Sequence, residues 1–195
     1  MKSGYYYILL PAFIMPFLYG CKSNSAPEVT VQNTDNVNLN AQAQEDNEKL
    51  LDMALQISGK TLEHDQRGAA LRMLSLNEKD LVRGLVQWLV LLDGRYPNSL
   101  DPKVSIKRAD KLLVEKYGSS EQAKEHGYDI FFASAFYDKL VRENKDVVYC
   151  GDKVTPEDKD KILIRWKIEK NKYRIVFGDL HAEDVSGEKL TELET

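Results

Sequence analysis

The chain has 195 residues, of which 43% are hydrophobic, an ordinary share for a folded globular protein. Its net charge is −4 and its cations are scattered along the sequence, which argues against nucleic-acid binding, since phosphate neutralisation needs clustered Lys or Arg. Of two cysteines, Cys21 and Cys150, the second lies in the apolar run Val147-Val148-Tyr149-Cys150 and is expected to be buried rather than to pair between molecules.

The N-terminus reads as an export signal. Lys2 supplies a positive start, and the apolar stretch Tyr5 to Tyr19 follows, interrupted by Pro11 and Pro16. That stretch is short for a hydrocarbon core about 30 Å thick, so a cleaved signal is preferred over a permanent span. The run Leu18-Tyr19-Gly20-Cys21 closes it where polar sequence begins. It resembles the lipobox of bacterial lipoproteins, although Tyr19 stands where that pattern has a small residue. The resemblance implies cleavage before Cys21 and lipidation of its sulfur, so that the partner is a membrane, reached through acyl chains. Lys22, rather than Asp, follows the cysteine, which by similarity to lipoprotein sorting implies the outer membrane or cell surface.

Three regions are expected: a signal peptide over 1–20, a flexible tether over 21–43 and a single α+β domain over 44–195. The tether expectation rests on a Ser-, Asn-, Thr-, Gln- and Ala-rich composition that cannot bury enough apolar surface to offset chain entropy.

Within the domain, Leu50, Leu51, Ala54 and Leu55 form one stripe of a helix over Glu45 to Ser58, ended by Gly59. Thr61 to Leu76 is ambiguous between strand and helix. Glu78 to Leu92 is the clearest helix, with Asn77 as cap, Asp80 in the first turn and Gly94 past its end. A third helix is expected near Ser105 to Tyr117, stopped by Gly118, and a fourth over Glu121 to Arg142. The period then switches. Ile162, Ile164, Trp166 and Ile168 alternate with Leu163, Arg165, Lys167 and Glu169, and after a turn at Lys170-Asn171 the residues Tyr173, Ile175 and Phe177 are expected to continue the same apolar row. With Val147 to Cys150 as a further strand, about four helices precede a small antiparallel β-meander, with the helices on one face of the sheet.

Two passages carry a second resemblance. Gly94-Arg95-Tyr96-Pro97-Asn98-Ser99-Leu100 is similar to an element that follows a helix in pseudopilins and related pilin-like proteins. Tyr149-Cys150-Gly151-Asp152-Lys153-Val154, Ile164-Arg165-Trp166-Lys167 and Tyr173-Arg174-Ile175-Val176-Phe177-Gly178-Asp179-Leu180 together resemble the ending of uncharacterised bacterial envelope proteins. The resemblance implies a pilin-like α+β fold and an envelope location. Pseudopilins begin with a long hydrophobic helix that has no counterpart here, so assembly into a shaft is not implied. Read without the resemblance, Gly94 and Pro97 are a helix stop and turn, Tyr96 and Leu100 plug the core, Trp166 and Tyr173 are core and cross-strand residues, and Gly178-Asp179 ends a strand.

Few residues point to chemistry. His181 lies among Asp179, Glu183 and Asp184, but no established zinc spacing appears. The loop from Asp152 to Asp160 offers Asp152, Asp158 and Asp160 as oxygen ligands suited to calcium, outside any EF-hand pattern and beside Lys153, Lys159 and Lys161. No Gly-x-Ser-x-Gly and no phosphate-cradling glycine loop occurs. The expectation is a non-catalytic binding or structural module without a cofactor, partnered by another envelope protein. The alternatives are a pilin-like accessory subunit of a secretion or filament system and a surface hydrolase using the acidic loop or His181.

Overall fold

Local signals place the helices. The computed structural model describes residues 35–58, 61, 64–118 and 121–195. The signal segment, Cys21 and the first part of the expected tether lie outside them. Two compact units divide between Leu74 and Ser75. In the first, α1 (Asp35–Ser58) and α2 (His64–Leu74) are joined by an ion pair between Arg67 and Asp52 at 2.7 Å. The first helix starts ten residues before the expected Glu45. Its solvent-facing middle is supported by pairs four residues apart, Gln42 with Asp46 and Lys49 with Glu45. The ambiguous stretch after it is helical from His64, not a strand. Among the described residues no helix is long and apolar enough to cross a membrane.

The second unit opens with α3 (Glu78–Leu91), begun by a capping box: Asn77 accepts from the Lys79 amide at 2.9 Å and Asp80 accepts from the Asn77 amide at 3.1 Å. Asp93 and Gly94, both at positive φ, then turn the chain. Asp101 caps α4 (Pro102–Tyr117), with Pro102 in its first turn and Gly118 at its end. The helix α5 (Glu121–Arg142) runs antiparallel to both. Lys139 reaches the Leu76 carbonyl, Gly84 lies against Ala133 and Asp129, Ser105 bonds Ser134 at 2.8 Å, and Gly127 faces Leu113. The helices α3 and α4 are therefore parallel to one another and end together, where the Lys116 ammonium donates to the Val90 carbonyl at 2.6 Å.

The chain closes with a four-stranded antiparallel meander in sequential order, β1 (Val148–Tyr149), β2 (Ile162–Glu169), β3 (Lys172–Phe177) and β4 (Ala182–Ser186), followed by α6 (Gly187–Leu193). The α+β class and the helices-then-sheet order agree with the sequence, but the described residues form six helices, and β4 and α6 had no clear sequence signal. Strand register corrects one expectation. Trp166 pairs with Arg174, Arg165 with Ile175 and Lys167 with Tyr173, and the pairing slips between Ile162 and Ile164. Tyr173, Ile175 and Phe177 therefore do not continue the Trp166 row; they occupy the opposite face. Trp166 meets Phe136 of α5 edge-on, with ring centroids 5.8 Å apart. Ile175 and Phe177 instead pack with Val185 and with Leu190 of α6, Ile162 joining them after the slip. The sheet is thus covered on both faces, and α6 lies on the side away from α5.

Candidate functional site

The two passages singled out in the sequence meet in space. Tyr96, 3% exposed, donates its hydroxyl to the Gly178 carbonyl at 2.5 Å, 82 residues away. Tyr149 donates likewise to the Pro97 carbonyl at 2.8 Å. Burial first, then the nearby Asp179 and Glu157 carboxylates, pushes the Tyr96 phenol up to about 12, so it stays a proton donor at any ordinary pH. Tyr149 is raised further, again chiefly by burial. Around this clamp the backbone is close enough to demand glycine. A Cβ on Gly178 would lie 2.4 Å from the Thr155 carbonyl oxygen and 2.5 Å from that of Asp158. On Gly151 it would meet the Pro97 carbonyl oxygen at 2.4 Å. Leu100, fully buried, confirms its expected place in the core.

The acidic loop is built from the same region. Asp158 accepts from the Thr155 amide at 2.9 Å and hydroxyl at 3.0 Å, and pairs with Lys161 at 2.7 Å. The Lys161 ammonium above all, with the Thr155 amide, holds its carboxyl at about 2. Asp158 is a turn-forming residue whose lone pairs are committed. Asp152 and Asp160 are exposed and do not converge with it; among the described residues no three His, Cys, Asp or Glu side chains gather into a metal-holding group. His181 lies on the Phe177 ring at 4.3 Å and pairs through Nδ1 with Asp179, whose carboxyl that contact lowers. Glu183 and Asp184 do not join it: Asp184 pairs with Lys172 at 2.9 Å and Arg174 at 3.0 Å.

Arg174 also reaches Glu78 at the start of α3 with two nitrogens, at 2.6 and 2.9 Å, and so fastens the sheet to the helices. Arg165 is held by Asp146 at 2.8 Å and Glu194 at 2.9 Å. Cys150 is half-buried rather than enclosed. An open groove of about 450 Å³ is lined by Tyr137, Val141 and residues 144–147, and it contains none of the residues the sequence nominated for chemistry.

No family model matches this chain, and neither the curated proteins nor the solved structures contain a match. The fold and function readings therefore rest on the residues themselves. On that basis the motif residues act as a clamp between the helices and the sheet. Tyr96→Phe tests it: the Gly178 carbonyl loses its buried donor, and the expected cost is about 1–3 kcal/mol in urea unfolding. A variant as stable as the parent would show that the hydroxyl carries no weight.

Proposed function

We propose that this chain is a membrane-anchored envelope lipoprotein, cleaved before Cys21 and held by acyl chains on that sulfur. Its C-terminal unit serves as a non-catalytic binding or structural module. The observation that carries the reading is the position of Cys21, at the junction where the apolar segment after Lys2 gives way to polar sequence, within Leu18-Tyr19-Gly20-Cys21. Each buried acyl methylene contributes about 0.8 kcal/mol, so several chains retain the protein without a spanning helix. Lys22 supports an outer-membrane or cell-surface address. The module reading is supported by side chains whose polar groups are used in joining layers: Tyr96, Tyr149 and Arg174 each hold structure in place.

Intact mass of detergent-extracted protein tests the anchor. The expected species lacks Met1 to Gly20 and carries added acyl mass, and Cys21→Ser moves the protein out of the membrane fraction. Retention of Met1 to Gly20 with an unmodified sulfur would overturn the proposal. A second reading rests on the resemblance of passages 94–100 and 149–180 to pilin-like proteins: a pilin-like accessory subunit of a secretion or surface-filament system. Copurification with filament or secretion components under native extraction is its test; a solitary monomer argues against it.

A further inference from the structure

Cations that look scattered in the sequence gather on one helix. The α4 segment carries Lys103, Lys107, Arg108, Lys111 and Lys116 against Asp110 and Glu115, in a chain whose net charge is −4. Lys103, Lys107 and Arg108 face solvent and have no carboxylate at ion-pair distance among the described residues, and Lys111 has Glu115 only at 3.9 Å. Exposed valines interleave with them, Val104 at 55% and Val114 at 64%. The neighbouring helix adds Val86 and Val90, both exposed, the latter beside the Lys116 contact.

The opposite charge collects elsewhere. Residues 182–195, which form β4 and α6, hold Glu183, Asp184, Glu188, Glu192 and Glu194 against Lys189, with Asp184 paired to Lys172 and Arg174 and Glu194 to Arg165. The helix α6 covers the sheet face that α5 does not, while α4 packs on α5.

We propose that the α4 face, with the adjoining valines of α3, docks on a bilayer surface rich in anionic phospholipid. The inference rests on the anchored reading of Cys21. A net-acidic protein free in solution is repelled by such a surface. One tethered to it is held at a high effective concentration and can turn the α4 cations inward. Ammonium and guanidinium groups then meet phosphates while short aliphatic side chains enter the headgroup boundary. Charge complementarity selects lipid here, because an anchor at Cys21 keeps the chain at a phosphate-bearing surface.

The test is lysine acetylation footprinting of the full-length chain, reconstituted in phosphatidylcholine vesicles with or without one third phosphatidylglycerol. Lys107 and Lys111 should be modified about fivefold more slowly when phosphatidylglycerol is present, with Lys189 unchanged. The protection should vanish in molar salt, where the screening length falls to about 3 Å. A K103E/K107E/R108E variant, altered only at exposed positions, should stay in the vesicles and lose the protection at Lys111. Equal modification in both vesicle types, with the chain still bound, overturns the docking face and leaves the anchor standing. If the chain proves unlipidated, the footprint is repeated with it held by an N-terminal hexahistidine tag on nickel-chelating lipid, so that face and anchor are judged separately. Protection by soluble polyglutamate but not by vesicles also overturns the proposal, and assigns the face to an acidic protein.

Discussion

Replacing Gly84 with alanine should destabilise the second unit by about 2 kcal/mol, although alanine is the better helix former by about 1 kcal/mol. Gly84 lies in the middle of α3 at its closest approach to α5. An added Cβ would stand 2.3 Å from the Ala133 Cβ and 2.6 Å from the Asp129 carbonyl oxygen. Neither neighbour is the free end of a flexible side chain, so relief requires the helices to separate and loosen Leu81 and Leu85, both fully buried. Gly84→Leu should fail to give a folded unit. Combining Gly84→Ala with Ala133→Gly should restore only part of the loss, because the Asp129 carbonyl still obstructs. Urea unfolding of the single and double variants measures this. Gly84→Ala equal to or above the parent in stability would refute the close-packed contact.

Trp88→Ala should cost about 3–5 kcal/mol, the largest effect expected of any single truncation here. Trp88 is completely buried, and its indole nitrogen is the one buried side-chain polar atom without a hydrogen-bond partner among the described residues. The ring contributes by volume, while the orphan N–H opposes it by about 1–3 kcal/mol. Trp88→Phe keeps most of the volume and deletes the orphan donor, so it should fall within about 1.5 kcal/mol of the parent. Denaturant midpoints of the two variants separate the terms. A phenylalanine variant as unstable as the alanine one would show that the indole N–H is bonded in solution.

Legibility in the sequence followed the range of the interactions. The start of α3 could be read because Asn77, Lys79 and Asp80 settle it within a few residues, and Gly118 marked the end of α4 in the same way. The two-residue periodicity of Ile162 to Phe177 identified a hairpin but not its register, since a one-residue slip reverses every side chain. The start of α1 at Asp35 was hidden by a polar composition that reads as tether, and β4 by a sequence, Ala182-Glu183-Asp184-Val185-Ser186, without a strand-like row. In the candidate site, His181 and the aspartates of the acidic loop suggested ligands because their lone pairs are visible in sequence and their uses are not. Asp158 spends its own on Thr155 and Lys161, and His181 is turned to Asp179.

By itself, then, the sequence determined the helix limits set by caps and glycines, the order of helices before strands and the place of Cys21 at the end of an apolar segment, since each is decided by neighbours along the chain. Tertiary structure alone decided that Tyr96 bonds Gly178, that Arg174 fastens the sheet to Glu78 and that α6 covers the second sheet face. Those contacts join groups far apart in sequence, and they become favourable only after loops have closed and both faces of the sheet have found cover.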